Sequence, residues 1–298
     1  MSYLHKKIRT LLFTVILASC AGYSLAEGIE NEDKPKQDGS DNRDGYRLSL
    51  GLGYVNIESP WWYDEEDTNR LRLIIDGRYQ WKGLFAELAT NGLSSDKNLP
   101  AIGYNFYSTD HWNLDFLAAV VSGRIEFNYI YDGQVKQISS EPTKGVGFRA
   151  QGTWGNSIVQ MIALPYIYDG EEKDFGSDST VDYASLWIGH RWQVKNWSVN
   201  GLLGAVYKSS GLLDHQLGVT GSEADEIVWA YEPSSGVNYT AHIDLSYPVS
   251  KNILFQMYSR YTQYSDAILD SPLIELSRKV GNRPENEHEF GVLLNYVF

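Results

Sequence analysis

The chain has 298 residues, with 38 acidic against 25 basic side chains, a net charge of −13 at pH 7 and a single cysteine. That acidity argues against a nucleic-acid partner, and one cysteine leaves neither a disulfide framework nor a cysteine-based metal centre. Mean hydropathy is −0.34 although 13% of residues are aromatic, a pairing that fits strands in which only every second side chain faces lipid.

Residues 1–26 read as an export signal. Lys6, Lys7 and Arg9 make a basic start, Leu11 to Ala18 is an apolar run too short to span a bilayer, and Ser24-Leu25-Ala26 is a small-x-small exit before Glu27. Leu17-Ala18-Ser19-Cys20 also resembles a lipoprotein signal. Cleavage after Ala26 is expected rather than lipidation at Cys20, because a chain whose strands face lipid gains no anchoring from an acyl group. Cleavage there removes the only cysteine and makes the mature chain more acidic. Residues 27–44 are polar and acidic and cannot bury a core, so a disordered periplasmic lead-in is expected.

From residue 45 the pattern changes to alternation. Tyr46, Leu48, Leu50, Leu52 and Tyr54 share one parity against Arg47, Ser49, Gly51 and Gly53. Side chains flip at each strand residue, so such a segment has an apolar face and a polar face. Leu71, Leu73, Ile75, Tyr79 and Trp81 oppose Arg70, Arg72, Asp76, Arg78 and Gln80 in the same way, and 237–247 repeats the theme. Twelve strands are predicted, over 46–57, 69–80, 84–91, 99–107, 112–121, 144–154, 157–168, 181–193, 197–208, 236–247, 252–264 and 287–298. Runs of this length with aromatic ends match tilted membrane strands. The connections alternate short and long, with long ones at 58–68, 92–98, 122–143, 169–180, 209–235 and 265–286. An all-β, antiparallel transmembrane barrel with short periplasmic turns and long external loops is the expected architecture, in the bacterial outer membrane. The last strand ends with Phe290, Val292, Leu294, Tyr296 and Phe298 on one face. That closing aromatic pattern resembles the terminal strand read by the outer-membrane assembly machinery.

Parity also assigns an interior. Arg47, Arg70, Arg72, Asp76, Arg78, Glu87, Asp115, Arg149, Arg191, Asp244, Arg260 and Glu289 are expected to face the lumen. Mixed signs favour an internal ion-pair network over a selective pore, which segregates charge. The loop 209–235, with an amphipathic stretch at 222–229, is long enough to fold inward as a constriction.

Catalytic patterns are sparse. There is no His-x-Ser, HExxH, GxSxG or P-loop. His242-Ile243-Asp244 places two polar groups on the lumen face without a serine, and Asp214-His215 lies in a loop. The acidic runs 64–67 and 169–174 could take a divalent cation or bridge lipopolysaccharide, but they lack an EF-hand order and read first as solvated loop charge. Neither a catalytic centre nor a cofactor is expected.

The stretch from Gly211 to Phe298 resembles the MltA-interacting protein/OmpV family of outer-membrane proteins. The residues that carry the resemblance are His215-Gln216-Leu217-Gly218-Val219-Thr220, Glu223-Ala224, Tyr231, the turn Pro248-Val249-Ser250-Lys251-Asn252, and Leu269-Asp270-Ser271-Pro272-Leu273-Ile274. Ser59-Pro60-Trp61 and 73–79 match more loosely; after the first-loop Ser-Pro, Trp62-Tyr63-Asp64-Glu65 stands where the family has Gly-Ser. The resemblance implies a non-enzymatic barrel in contact with lipid and lipopolysaccharide. It further implies a scaffold holding a lytic transglycosylase near a murein synthase. The polar lumen alone would also permit a narrow or gated channel for small solutes.

Overall fold

A computed structural model describes residues 44–61, 69–90, 99–168 and 182–298. The expected export signal, the lead-in up to residue 43, and the acidic runs 64–67 and 169–174 lie outside the described residues. The strands are β1 (Gly45–Glu58), β2 (Asn69–Trp81), β3 (Leu84–Thr90), β4 (Ala101–Ser108), β5 (Trp112–Ser122), β6 (Ile125–Tyr131) and β7 (Gln134–Ser140). They continue as β8 (Thr143–Trp154), β9 (Ser157–Tyr168), β10 (Tyr183–Val194), β11 (Trp197–Lys208), β12 (Gly236–Pro248), β13 (Ile253–Gln263) and β14 (Glu287–Val297). All except β6 and β7 close into one antiparallel barrel of twelve strands, in which β14 pairs back onto β1. The strands meet the sequence expectation to within about two residues at each end.

Alternation sets the wall. In β1, Gly51, Gly53, Val55 and Ile57 are buried inside while Leu52 and Tyr54 point out, and the register Leu52↔Leu73 and Leu52↔Leu294 continues the apolar outer face onto both neighbours. Exposed aromatics gather at both ends of that outer face. Tyr46, Trp81, Trp154 and Trp192 lie at the short-turn end; Tyr54, Tyr166, Tyr239 and Tyr261 lie at the other. An apolar band between two aromatic rings is the surface of a membrane barrel. Following paired residues across the sheet, Arg47 leads to Arg78, Glu87, Ala101, Ala119 and Gly145. This row begins near the short-turn end of β1 and finishes near the long-loop end of β8, which is the stagger that strand tilt imposes on a closed sheet. No described helix is long and apolar enough to cross a membrane, a statement that does not touch strands.

The short turns use left-handed backbone, at Lys82 (φ 49°), Gly83 (φ 84°), Gly155 (φ 55°) and Lys195 (φ 56°), as tight hairpins between right-twisted strands require. Inside the wall, a side chain at Gly291 would collide with the Tyr258 ring, and one at Gly204 with Trp187. These two glycines leave room for the two large rings that fill the interior.

Among the described residues, three long connections carry regular structure. The 122–143 connection holds the hairpin β6–β7, turned at Asp132-Gly133 (φ 49° and 72°). The 209–235 connection begins with α1 (Ser210–Leu217), and the 265–286 connection holds α2 (Asp266–Leu269) and α3 (Pro272–Gly281). The amphipathic stretch at 222–229 is not helical; it runs through turns and bends, and the helix lies before it. Phe127, Tyr129 and Ile138 of the hairpin pack with Leu213 and Leu217 of α1, Val228, and Ile268, Leu273 and Ile274 of α2–α3. The loops therefore share one core and form a cap over the long-loop end.

Candidate functional site

The lumen and its cap hold the polar groups that the membrane wall cannot. Below the cap, Leu117, Leu164, Tyr183, Trp187, Val206 and Leu212 form an apolar cluster inside the barrel. Leu212 belongs to α1, and its neighbour Leu213 belongs to the cap core, so this helix ties the cap to the lumen filling. Val55, Ile57, Ile74, Tyr258 and Leu293 fill a second part of the interior.

Charged side chains are arranged around these clusters. Arg149 donates through Nε to Asp115 at 2.8 Å and through its terminal nitrogens to Glu87 at 2.7 and 3.0 Å. Arg78 donates to Glu87 at 2.5 Å and to Gln80 at 2.7 Å, and Asn105 donates to Asp115 at 2.8 Å. Both guanidinium groups stand over the Phe85 ring, at 4.6 Å for Arg78 and 5.2 Å for Arg149. Two arginines face two carboxylates here, so the group is neutral, as a buried set must be to offset its loss of hydration.

A second group is built on Arg260, which pairs with Glu289 and, at 3.3 Å, with Glu287. Tyr258 donates to Glu289 at 2.5 Å, while Ser59 and Tyr264 donate to Glu287 at 2.9 and 3.0 Å. A third runs from Arg191 to Asn200 (2.9 Å), from Asn200 to Asp244 (2.9 Å), and from Ser246 to Asp244 (3.2 Å). His242 lies 3.8 Å from Asp244 and stacks on Tyr258 at 5.8 Å.

The residues that parity assigns to the lumen thus fall in different settings. Arg78, Glu87, Asp115 and Arg149 are brought together, as are Arg260 and Glu289. Arg191 and Asp244 are linked through Asn200. Arg47 and Asp76 stand 3.9 Å apart with their side chains 64% and 39% exposed, a loose pair near the short-turn end. Arg72 is half-buried on the same face of β2, and Arg70 lies in β2 with its side chain outside the described part. Ser59, Asn200, Tyr258 and Tyr264 were not foreseen; nothing local marks them as partners of residues up to 228 positions away.

Phe290, Leu294, Tyr296 and Phe298 are exposed on the outer wall, Val292 is half-buried, and the rings of Tyr296 and Phe298 meet edge-on at 4.8 Å. The Asp270-Ser271-Pro272 segment forms the corner between α2 and α3. Pro272 opens α3, where its missing N–H costs nothing, and the buried Ser271 hydroxyl donates to the Leu217 carbonyl at 3.2 Å. This segment fastens two loops of the cap together.

Asp225 is the cap's other clasp. Its Oδ1 accepts the amides of Ile227 (2.8 Å) and Val228 (2.9 Å), and its Oδ2 accepts from Tyr129 (2.9 Å) and Lys136 (3.0 Å). Burial alone would raise the Asp225 carboxyl, but the two amides, Lys136 and Tyr129 together hold it well below the usual carboxylate range. Burial and the Asp225 charge push the Tyr129 hydroxyl up to about 12. Burial, then the charge of Asp270, raises Tyr231.

Acyl-transfer chemistry is poorly served. Asp214 and His215 both lie on α1, where His215 Nε2 contacts the Glu141 carbonyl at 2.9 Å. Ser157 Oγ and His190 Nδ1 meet at 2.8 Å on the outer wall, but His190 packs on Trp192 and no described carboxylate bonds its other nitrogen. A serine–histidine contact without an orienting third group falls short of an activated nucleophile. Among the described residues no group of three or more His, Cys, Asp or Glu is placed to hold a metal ion.

Residues 50–298 match the family model described as MltA-interacting protein MipA. No curated protein matches the chain. Solved structures of similar shape include in-vitro folded OmpT, an outer membrane protein of Vibrio cholerae, at 8% identity and a TM-score of 0.39, covering 85% of this chain and 97% of that chain. The outer membrane channel DcaP of Acinetobacter baumannii is 12% identical with a TM-score of 0.38, covering 85% and 96%. The outer membrane protein OprD of Pseudomonas aeruginosa is 9% identical with a TM-score of 0.33, covering 85% and 92%. Likeness at these scores carries no functional argument.

Proposed function

Since the chain belongs to the MltA-interacting protein MipA family, we propose that this outer-membrane barrel is a sealed, non-enzymatic envelope protein that holds murein enzymes, a lytic transglycosylase and a murein synthase, at its short-turn face. The observation that carries this reading is the filled interior. Apolar clusters inside the wall, the neutral Arg78–Glu87–Asp115–Arg149 group and a packed cap support a closed barrel. A narrow or gated solute channel would leave a continuous polar path with charges set for passage, and the apolar layer from Leu117 to Val206 counts against it. With the long loops outside, the turns at 82–83, 109–111, 155–156, 195–196 and 249–252 would face the periplasm, where murein is built.

The test combines two measurements on the refolded barrel. In a planar bilayer it is expected to be electrically silent, and site-specific crosslinkers at the five turns are expected to capture a lytic transglycosylase. Steady ion conductance with a charge preference, or crosslinks that never exceed those from the opposite loops, would overturn the reading.

A further inference from the structure

A cavity of about 600 Å³ lies on the outer wall of the barrel, across β1, β2, β3, β4, β5 and β8. It arises from a local shortage of side-chain volume. Among outward positions, Leu48 pairs across to Gly77 and Gly77 to Leu88; further on, the Val120 amide bonds the Pro100 carbonyl at 2.9 Å, and Val120 pairs with Lys144. In the row beside it, Tyr79 leads to Ala86, Ile102 and Ala118. Gly77, Ala86 and Ala118 put little more than backbone where the wall elsewhere carries large side chains. One row nearer the short turns, Tyr104, Phe116 and Phe148 stand side by side, and the last two rings meet edge-on at 5.5 Å. The cavity is therefore an apolar shelf beside an aromatic ridge.

Lys144 closes the shelf at its long-loop end. It is exposed between the buried Thr143 and Gly145, so it points out of the wall. Among the described residues it is the only lysine or arginine at an outward position in the barrel strands. A cation on the lipid-facing wall is costly at mid-membrane and is tolerated near the headgroups. The register supplies its level. Val146 pairs with Tyr166 of the long-loop aromatic ring, and Lys144 pairs with Tyr168, so Lys144 lies one outward step beyond that ring, at headgroup height. Among the described residues no carboxylate pairs with its ammonium group.

From Lys144 the shelf runs back over five strand spacings to Leu48, a path of about 24 Å. Strand tilt inclines such a row to the membrane plane, so the path descends about 15 Å, the hydrocarbon depth of one leaflet. A ligand matching this shape has a phosphate at one end and a long hydrocarbon chain leading from it.

We infer that the shelf holds an acyl chain of lipopolysaccharide, with a lipid A phosphate on Lys144. With the long loops outside, Lys144 stands in the leaflet whose phosphorylated lipid is lipopolysaccharide. The inference shares only that orientation with the scaffold reading, and a failed crosslink at the short turns would leave it untouched.

The test is native mass spectrometry of the protein purified in detergent, titrated with lipid A, with dephosphorylated lipid A and with phosphatidylglycerol. A saturable one-to-one adduct with lipid A is expected, at least fivefold tighter than with either other lipid. Lys144→Gln is expected to weaken lipid A about fivefold, the scale of one basic residue at a membrane surface, and Lys144→Arg to preserve it. Ala118→Phe fills the shelf with a side chain ordinary for a lipid-facing wall and is expected to weaken lipid A at least tenfold. The gel mobility of the folded barrel checks that each variant has closed. The inference is overturned by the absence of a saturable lipid A adduct, or by binding that neither Lys144→Gln nor Ala118→Phe alters. Equal binding of phosphatidylglycerol overturns it by making the shelf a site for any anionic lipid. A lipid-independent dimer that Ala118→Phe abolishes overturns it by seating a second copy of the chain there.

Discussion

Arg149 of β8 reaches Glu87 of β3 at 2.7 Å although β4 and β5 stand between their strands in the wall. The contact crosses the inside of the barrel as a chord. It couples strands that share no backbone hydrogen bond, and with Asp115 it leaves Arg149 only 4% exposed.

Replacing Arg149 with Met should therefore destabilise the barrel by about 3–5 kcal/mol, because Asp115 stays buried without its cation while Glu87 keeps Arg78 alone. Changing Asp115 to Asn in the same chain restores the charge balance and should recover much of that loss. Urea midpoints of the barrel refolded in liposomes check both; equal midpoints for the single and double variants would show that the network carries no such coupling.

The Asp225 clasp predicts a pH window for the cap. Its carboxyl is depressed in the folded protein, so its stabilisation is present above the ordinary carboxylate value, about 4, and is lost as pH falls through the lower folded value. Tyr129 works in the opposite sense. Its folded value is raised to about 12, so its contribution is full below the ordinary value of 10.0 and is lost between there and about 12. Cap stability should be flat between those limits. Asp225→Asn should lower the exchange protection of the Val228 amide at neutral pH by about 1–3 kcal/mol, measured with intrinsic exchange rates divided out.

Gly291 should tolerate no side chain while Tyr258 is present. Gly291→Ala places a methyl group in the Tyr258 ring, and overpacking of this kind costs about 1–3 kcal/mol. Adding Tyr258→Leu should relieve the clash but expose the cost of the lost Glu289 bond. Denaturation midpoints of the single and double variants separate the two effects, and an unchanged midpoint for Gly291→Ala would contradict the close packing.

Deleting Phe298 should lower the yield of assembled barrel in cells several-fold while leaving refolding of purified chain nearly intact. The Phe298 amide donates to the Leu48 carbonyl at 3.1 Å and its ring meets Tyr296, contacts small enough to lose in vitro. Equal losses in cells and in vitro would make the residue a matter of stability rather than of assembly.

The wall was legible because its signal is local. Strand alternation needs only neighbouring residues, so β1, β2 and β12 could be placed from parity, and the same parity distributed Arg78, Glu87, Arg149 and Asp115 to one side. Their partners could not be read this way, since Ser59 meets Glu287 across 228 positions and Asn200 joins Arg191 to Asp244 only through register. The cap was missed for two physical reasons. Asp132-Gly133 between alternating residues is a hairpin signal, but it sits inside a connection treated as plain loop. The amphipathic stretch at 222–229 gives no local turn signal, because it is the Asp225 side chain, satisfying the amides of Ile227 and Val228 and bonded by the distant Tyr129 and Lys136, that holds the segment in a turn.

The cap core draws Tyr129, Leu213 and Ile274 from loops that follow β5, β11 and β13, far apart around the wall. Those residues can meet only after the sheet has brought its distant hairpins to one rim, a late step in any folding order dominated by long-range contacts. The cap is thus a record that closure has happened. A stalled chain would keep Leu213, Leu217 and Ile274 open to water. That is a sticky signature by which a holdase chaperone or a housekeeping protease could separate unfinished chains from finished ones.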